Sequence, residues 1–406
     1  MELLWSLGFG TGSIARHRAP PSNRVPPRYP RPVTTLALHE LHAPLGAHFL
    51  AVHATEVVAD YGDIAAELVA LHDTVGVLDL SHRSRLCLMG ADRVKFLHGQ
   101  VTNDVQRLRE GEGCYAALVN AKGRMHSDLN IYRLTDELLL DFEPGYTAAV
   151  AARLEKYIVT DDVQFLDAAP HYGLLSVQGP RAAETVAALG LDWKLPEKPH
   201  AFSTHADPTL GQLYLMRRGG DLQSPTPSPT SAPDGDCKSP ALASGFDLFI
   251  PTAALGAVFD KLLAAAKSLG GRACGWHALE TARIAAGIPR FGQDMDETTL
   301  PPEAGLEARA ISYSKGCYIG QEVIARIRTY GQVARSLCAL SLPADLVPLP
   351  ASGDKLCFDG REIGHLTSVI GGRALGYVRK EHKAPGTVLT LRTTAGECPA
   401  TVLEPA

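Results

Sequence analysis

The chain has 406 residues, 45% of them hydrophobic, and a formal net charge of −5, which fits a globular protein of two or three domains. No apolar run approaches the roughly 20 residues of a membrane span, and the negative net charge gives no global reason to expect nucleic acid as a partner. Because its eight cysteines include no C-x-x-C pair, the chain lacks a self-contained zinc or iron–sulfur motif, and a reducing compartment such as the cytoplasm is predicted.

Residues 1–37 are predicted to form a disordered tail. The segment up to about Val33 is rich in Pro and Arg, has Glu2 as its only acid, and shows no sustained periodicity. Such a tail could be a mitochondrial transit peptide, which would place the protein in the matrix, but the six prolines between Pro20 and Pro32 would break the amphipathic helix of such a peptide. A plain tail or an overlong gene-model start is therefore favoured over a transit peptide.

The segment from Leu38 to about Val77 has apolar residues at three- and four-residue intervals and is predicted to be helical. Two strands follow around a polar turn, Val77–Ser81 and Ser84–Met89, and Gly90 then opens a short helix. A strand followed by a helix within about 30 residues predicts an α+β layer arrangement.

The next part of the chain alternates turns and strands. Asn103 and Asp104 lie in T-N-D-V, where Asx residues commonly form a turn at the end of a helix. Strands are predicted over Tyr115–Asn120, Asp128–Leu134 and Glu137–Phe142, because polar and apolar residues alternate along them, and Lys122 falls in the first of the connecting turns.

The order of strand, glycine and helix recurs further along the chain. Leu174–Pro180 is predicted to be a strand that stops at Gly-Pro, and a helix is predicted over Ala182–Leu189. This unit is similar to Leu86–Leu97, so two related α+β halves are predicted, over residues 38–170 and 171–322. One ligand could lie in the groove between them.

A Ser-, Pro- and Thr-rich insert over residues 219–244 separates the predicted strands Gly211–Arg217 and Gly245–Ile250 and should be a disordered surface loop. A helix is predicted over Ala253–Ala266, where the apolar residues lie on one face. Five short strands with Gly-rich turns then predict a small β-barrel over residues 330–403.

The stretch Lys315–Glu322, with the sequence K-G-C-Y-I-G-Q-E, carries the strongest chemical signal. Two glycines bracket Cys317 and an apolar helical pattern begins just after it, so the thiol should lie where a turn leads into a helix. Backbone N–H groups at a helix N-terminus and the nearby ammonium of Lys315 would stabilise a thiolate. The alternative is an inert cysteine in a turn.

The motif K-G-C-Y-x-G-Q-E resembles the signature of the folate-binding YgfZ family, relatives of the aminomethyltransferase (T-protein) of the glycine cleavage system. The resemblance runs from about Leu38 to about Val402 and is dense in the segment Gly275–Leu306, which contains A-R-I-A-A-G-I-P, G-Q-D-M-D-E and P-P-E-A-G-L. It implies an α+β, T-protein-like folate-binding fold of two similar halves with a C-terminal β-barrel. It also implies tetrahydrofolate, or a one-carbon derivative, as the cofactor.

The resemblance implies folate contacts at the T-N-D turn and at the first strand turn. Asp104 matches the Asp of T-N-D that lies against folate in T-protein and on which the chemistry there depends, and Asn103 is its neighbour. Asn120 and Lys122 belong to a turn of YgfZ type, where a neutral amide suits the pterin edge and a cation suits the glutamate tail. The alternative is an ordinary hairpin with a solvated cation.

Three more residues complete the predicted site. Asp247 stands where relatives have the folate-contacting Glu of G-F-E, and its reach is one methylene shorter. Arg283 could meet the folate tail, with pairing to Glu280 as the alternative. Lys315 is the cation of the cysteine motif, and no metal ligands are predicted.

The resulting hypothesis is a tetrahydrofolate-binding protein that supports assembly or maintenance of iron–sulfur proteins, with Cys317 as the functional thiol. Its partners would be iron–sulfur proteins or cluster assembly factors, and whether it turns over a substrate stays open. The alternative is a folate-dependent aminomethyl or methyl transferase that uses Asp104 as an electrostatic or acid–base group. An RNA-binding role for the basic strip Arg326, Arg328 and Arg335 is disfavoured, because such strips are usually solvated faces.

Overall fold

A computed structural model describes residues 33–219, 245–331, 333–343 and 346–404 of the protein. The predicted tail, apart from residues 33–37, and the predicted insert loop, apart from Gly219, lie outside these residues. The strands are β1 His48–Val52, β2 Thr55–Asp60, β3 Gly76–Asp79, β4 Ser84–Met89, β5 Gly113–Val119, β6 Met125–Arg133, β7 Leu138–Phe142, β8 Gln164–Asp167, β9 Tyr172–Gln178, β10 Phe202–Asp207, β11 Gly211–Arg217, β12 Gly245–Pro251, β13 Arg272–Ala273, β14 Arg335–Ser341, β15 Lys355–Phe358, β16 Arg361–Ile370, β17 Arg373–Arg379, β18 Val388–Thr393 and β19 Gly396–Val402. The α-helices are α1 His39–His42, α2 Ile64–Asp73, α3 Arg93–His98, α4 Thr147–Glu155, α5 Ala182–Ala187, α6 Leu255–Ser268, α7 Trp276–Ala285, α8 Glu307–Ala310 and α9 Gln321–Tyr330.

A five-stranded antiparallel sheet, in the order β5-β6-β7-β4-β8, forms the first layer. Its outer face is covered by α3 and α4, which bury Phe96, Leu97, Val150 and Leu154 against it. Because side chains alternate between the faces of a strand, β6 directs buried residues to this core and half-buried polar residues to the other face.

A six-stranded sheet, in the order β10-β11-β12-β9-β3-β13, forms the second layer. Helices α5 and α6 cover its outer face. Its inner face packs on the first sheet, where Tyr132 of β6 lies 6.1 Å, ring centre to ring centre, from Phe249 of β12. Strand β3 precedes residue 170 and pairs with β9 beyond it, so the two predicted halves share this sheet and their boundary stays a prediction.

Six strands, in the order β14-β17-β16-β15-β18-β19, close into the C-terminal barrel. The α+β fold with a terminal β-barrel, predicted from the sequence, is therefore confirmed. The sequence analysis missed β19, because Pro399 and exposed polar residues interrupt the alternation of polar and apolar residues that predicts a strand. The strand nevertheless pairs with β18 along its length.

The predicted helix from Leu38 to Val77 is wrong over much of its length. The helical spacing belongs to α2, whereas β1 and β2 form a hairpin before it. The hairpin turns at His53 and Ala54, whose φ angles are 48° and 62°. Tight hairpin turns of this kind usually contain Asn or Gly, so the local sequence carries no turn signal.

The two strand–glycine–helix units predicted from the sequence are present. In each unit a glycine with positive φ ends the strand, Gly90 after β4 and Gly179 after β9. A Cβ at Gly90 would lie 2.1 Å from the carbonyl oxygen of Asp162, and one at Gly179 would lie 2.5 Å from that of Thr74. Both positions therefore require glycine for close backbone approach as well as for φ.

Candidate functional site

A cavity of about 670 Å³ lies between the inner faces of the two sheets. Its volume falls within the range of small-molecule sites, roughly 300–1,000 Å³. Apolar and aromatic side chains such as Leu80, Tyr132, Trp276 and Ile288 line part of it. The charged residues that line it are Arg83, Asp128, Asp141, Glu143, Arg218, Asp247, Glu280, Arg283, Arg290 and Arg309.

The five-stranded sheet presents a row of polar residues to the cavity. Tyr115 of β5 lies directly opposite Asn130 of β6, and Asn130 lies opposite Asp141 of β7. Asp128 is two residues before Asn130 on the same face of β6. Strand register thus assembles this wall from three strands.

Arg83, just before β4, neutralises two acids of this wall. Its guanidinium donates hydrogen bonds to both carboxylate oxygens of Asp141, at 2.9 Å each from Nε and Nη2, and to Glu143 Oε1 at 2.6 Å. The amide of Asn130 also donates to Asp141 Oδ2, at 3.1 Å. Paired and bidentate contacts of this kind hold charged side chains in place within the protein.

Asp128 has a different environment. The hydroxyl of Tyr115 donates to its Oδ2 at 2.8 Å. Burial, assisted by the nearby charge of Glu143, raises the pKa of Asp128 to about 6. This carboxyl group therefore titrates close to neutrality and faces the cavity.

The six-stranded sheet contributes Asp247, a predicted folate contact, to the opposite wall. The Asp247 carboxylate accepts hydrogen bonds from Ser176 Oγ at 2.6 Å and from Arg218 Nη1 at 3.0 Å and 3.2 Å. Ser176 is on the neighbouring strand β9, directly opposite Asp247. The structure therefore places Asp247 in the cavity but pairs it with an arginine.

Arg283, the other predicted contact on this side, also lines the cavity. Its guanidinium donates to both oxygens of Glu280 and to Asp294 Oδ2, each at 2.7 Å, and to Ser368 Oγ of the barrel at 3.0 Å. The alternative of pairing with Glu280 is the arrangement observed. Arg290 shares Glu280 and stacks 4.1 Å above the Trp276 ring.

The remaining predicted residues lie at a second place, where the T-N-D turn meets the cysteine motif. Segments 98–104 and 309–319 are joined by several hydrogen bonds. Thr102 Oγ1 donates to the Ala310 carbonyl at 2.6 Å, the Ser312 amide donates to the Thr102 carbonyl at 3.0 Å, and the Ile319 amide donates to the Gly99 carbonyl at 3.1 Å.

Lys315 is buried at the centre of this junction. Its ammonium donates to the carbonyl oxygens of His98, Val101 and Asn103, at 2.5, 2.7 and 3.0 Å. These carbonyls belong to the end of α3 and the turn after it, where helix carbonyls lack partners and favour a cation. Burial lowers the pKa of Lys315 to about 8. All three of its hydrogens are thus used in joining the two segments.

Asn103 and Asp104 shape the adjoining turn. The Asn103 amide donates to the carbonyl oxygens of Tyr115 and Arg309, at 2.8 and 3.2 Å, and both of these residues line the cavity. Asp104 Oδ1 accepts from the Arg107 amide at 3.2 Å, and its carboxylate also pairs with the Arg107 guanidinium. Asp104 itself is not among the residues that line the cavity.

Asn120 and Lys122 form a turn that packs against the start of α9. Asn120 Oδ1 accepts from the amides of Lys122 and Arg124, at 2.9 and 3.1 Å, so this side chain holds the hairpin turn. Lys122 is exposed. The turn touches the cysteine motif through Gly320, where a Cβ would lie 2.4 Å from the Asn120 carbonyl oxygen.

Cys317 is exposed in the turn before α9, as predicted. The preceding residue, Gly316, lies beside the His98 ring, and a Cβ built on it would be 3.7 Å from Nε2. Burial, and the charge of Lys315, lower the pKa of His98, so this ring is neutral near pH 7. The predicted Lys315–thiolate contact is not observed, because the ammonium is directed to carbonyl oxygens.

The structure therefore divides the predicted residues into two groups. Asp247 and Arg283 lie in the cavity, and the other six lie around the junction of the T-N-D turn, the Asn120 turn and the cysteine motif. Asn103 links the groups through Tyr115 and Arg309. The sequence analysis missed Asp128 and Arg218; the former could have been found as a polar residue on the half-buried face of a predicted strand.

Each arginine of the basic strip contacts another side chain of the protein, and Arg335 also pairs with Glu303 at 3.3 Å. Arg326 pairs with Glu322 on the exposed side of α9, Arg328 lies 3.9 Å above the Tyr313 ring, and Arg335 lies 4.3 Å above the Tyr377 ring. In the described residues, no group of three His, Cys, Asp or Glu side chains could hold a metal ion. None of the helices described here has the length and apolar character needed to cross a membrane.

Two family models match the chain. The model of the GCVT N-terminal domain matches residues 38–219 and 243–315, and that of the CAF17 C-terminal beta-barrel domain matches residues 339–406. Together they cover both sheets and the barrel.

Similar proteins include transferases from plants and bacteria. The chain is 30% identical to a provisionally named chloroplastic transferase from Arabidopsis thaliana, over 82% of this chain and 72% of that protein. It is 27% identical to an aminomethyltransferase from Thermotoga petrophila, over 82% of this chain and 84% of that protein. The crystal structure of the glycine cleavage system aminomethyltransferase T from Bartonella henselae superposes with a TM-score of 0.77 at 24% identity, and covers 92% of this chain and 98% of the other.

Proposed function

The chain belongs to the family of the GCVT N-terminal domain, and on this premise we propose that it binds tetrahydrofolate, or a one-carbon derivative, in the cavity between the two sheets. The cavity volume suits a ligand of this size. The half-buried Trp276 ring offers flat apolar surface for a pterin ring, and the cavity acids offer acceptors for its N–H groups. When bound, the folate would supply a carrier for one-carbon units.

We further propose that the protein supports assembly or maintenance of iron–sulfur proteins through the thiol of Cys317. The observation that carries this proposal is the unbroken motif Lys315–Glu322, whose cysteine is exposed while its lysine is buried. The motif is bound to the T-N-D turn by Lys315, so the thiol has a defined place beside the folate domain. The CAF17-type barrel supports the same assignment.

Folate binding is tested by anaerobic titration calorimetry of the wild type and Cys317→Ala with tetrahydrofolate. We expect both to bind with similar Kd, because Cys317 lies outside the cavity. Loss of binding in the variant alone would contradict the separation of thiol and cavity. Absence of binding in both would contradict the folate assignment.

The role of the thiol is tested in cells that lack their own copy of the gene. Complementation with Cys317→Ala should leave the activity of an iron–sulfur dehydratase at least several-fold below that obtained with the wild type. Cys398→Ala, at a half-buried cysteine of the barrel, is the matched control and should restore activity fully. Equal rescue by both variants would remove Cys317 from the proposal.

A folate-dependent aminomethyl transferase is the second candidate, favoured by the aminomethyltransferases among the relatives and by the retained Asp104. In that case the protein should transfer a one-carbon unit between an aminomethyl donor and tetrahydrofolate. Turnover abolished by Asp104→Asn and unaffected by Cys317→Ala would establish this candidate and displace the first.

A further inference from the structure

Four of the five acids that line the cavity are neutralised by arginines. Asp141 and Glu143 share Arg83, Asp247 pairs with Arg218, and Glu280 pairs with Arg290, each with a nitrogen–oxygen distance of 3.0 Å or less. A carboxylate whose charge is already compensated by an arginine gains less from a ligand N–H group than one without a paired cation.

Asp128 is the exception among the cavity acids in the described part of the chain, since no arginine or lysine pairs with it. Its hydrogen-bond partner is the hydroxyl of Tyr115, which occupies one of the roughly four acceptor positions of a carboxylate. The strand pleat of β6 directs Asp128 to the cavity side, next to Asn130. Among the described residues that line the cavity, Asp128 is thus the one carboxylate that no arginine or lysine pairs with.

We propose that Asp128, rather than Asp247, is the carboxylate that accepts the N–H donors of the pterin ring. This inference rests on the proposed folate function and adds the residue that orients the ring. A bidentate contact from one carboxylate to the 2-amino and N3–H groups would fix the ring in the plane of the carboxylate. Asp247, held by Ser176 and Arg218, would act as a structural part of the opposite wall.

The short side chain of Asp247 is consistent with a structural role for this residue and a ligand-binding role for Asp128. The Asp247 carboxylate lies within 2.6 Å of Ser176 Oγ, so it stays close to its own sheet. The nearby Gln178 side chain also donates to Ser176 Oγ, at 2.9 Å, which adds a further partner to the same network. A contact from Asp247 to a ligand would require breaking charge-assisted hydrogen bonds.

The test compares the Kd of tetrahydrofolate for the wild type, Asp128→Asn and Asp247→Asn by anaerobic titration calorimetry near pH 7.5. Loss of a hydrogen-bonded charge should weaken binding by Asp128→Asn roughly 10- to 100-fold. Asp247→Asn, the isosteric control, should change Kd less than about threefold. A large loss in Asp247→Asn with little change in Asp128→Asn would overturn the proposal.

A ligand analogue provides an independent measurement that does not depend on the folding of a variant. The 2-desamino-2-methyl analogue of tetrahydrofolate lacks the amino donors. The wild type should bind it at least about tenfold more weakly than tetrahydrofolate, and Asp128→Asn should bind both compounds almost equally. Equal affinity of the wild type for the two compounds would show that no carboxylate accepts a hydrogen bond from the 2-amino group of the pterin ring.

The two proposals fail in different ways. If the wild type does not bind tetrahydrofolate, the folate function itself is wrong. If the wild type binds tetrahydrofolate but the Asp128→Asn variant retains its affinity, only the assignment of Asp128 is wrong.

Discussion

At the scale of single residues, the cavity shows how burial changes the chemistry of a carboxyl group. Asp141 and Asp128 lie on neighbouring strands of one sheet, but Arg83 pairs directly with Asp141, whereas in the described residues no arginine or lysine pairs with Asp128. The pKa of Asp128 is accordingly raised by burial and by Glu143, despite the Tyr115 hydrogen bond. An uncompensated charge of this kind favours ligand binding at the expense of stability.

The raised pKa of Asp128 predicts that the free energies of unfolding of the ligand-free wild type and of Asp128→Asn differ by an amount that depends on pH. The pKa is about 6 in the folded protein and 3.8 in the unfolded chain, so the folded state binds more protons between pH 4 and 6. Deprotonation of Asp128 should therefore lower the free energy of unfolding as pH rises through this window. Asp128→Asn should match the wild type near pH 4 and exceed it by up to about 3 kcal/mol at pH 7.

Urea unfolding of both proteins at a series of pH values measures this difference. Groups that do not interact with Asp128 titrate alike in the two proteins and cancel in the comparison, so the difference reports Asp128 and its interaction with Glu143. A difference that does not vary between pH 4 and 7 would show that Asp128 has an ordinary pKa.

At the scale of elements, the junction between the cysteine motif and α9 depends on one glycine. Gly320 precedes the helix with a φ of 84° and lies against the Asn120 turn. A side chain there would combine an unfavourable backbone conformation with a clash against a backbone carbonyl, which cannot move like a flexible side chain. The position of Cys317 therefore depends on a contact between two turns.

We expect Gly320→Ala to lower the free energy of unfolding by about 2–4 kcal/mol. Gly331→Ala, at the other end of α9, is the matched control, since φ is −152° there and a Cβ would meet its nearest atom at 3.9 Å. That change should stay within about 0.5 kcal/mol. Chemical denaturation measures both, and equal effects of the two substitutions would argue against the turn contact.

At the scale of the whole molecule, a buried acid connects the barrel to the part of the chain that forms the two sheets. Asp294 Oδ1 accepts from Ser368 Oγ of β16 at 2.7 Å, and its backbone carbonyl accepts from the Tyr377 hydroxyl of β17 at 3.0 Å. Its other oxygen accepts from Arg283 at 2.7 Å. Arg283 is thus part of the contact between the two domains as well as of the cavity wall.

Asp294→Ala should therefore weaken the attachment of the barrel. Removal of the acid takes away one of the two carboxylates that pair with the buried Arg283 and also removes the acceptor of Ser368, which should cost about 3–5 kcal/mol. We expect earlier proteolytic cleavage between the two-sheet part of the chain and the barrel, and a lower urea midpoint. Glu322→Ala, which breaks an exposed pair with Arg326, should cost less than about 1 kcal/mol, and a similar small loss in Asp294→Ala would contradict this role.

The sequence by itself determined the local elements. Alternation along β6 and β7, the amphipathic face of α6 and the glycines at 90 and 179 are properties of neighbouring residues, and the structure agrees with each of them. The position of Cys317 shortly before a helix also follows from local pattern, whereas its exposure is seen only in the structure. The β1–β2 hairpin was not predicted, because its turn residues are His and Ala rather than Asn or Gly.

Only the tertiary structure decided which charged groups remain available to a ligand. Arg83 and Asp141 are 58 residues apart, Arg218 and Asp247 are 29 apart, and Lys315 meets carbonyls more than 200 residues away. Pairing of charges depends on distance in space, which no local pattern encodes. For this reason the sequence indicated Asp247, Arg283 and Lys315 as binding groups, whereas the fold pairs all three internally and leaves Asp128 facing the cavity.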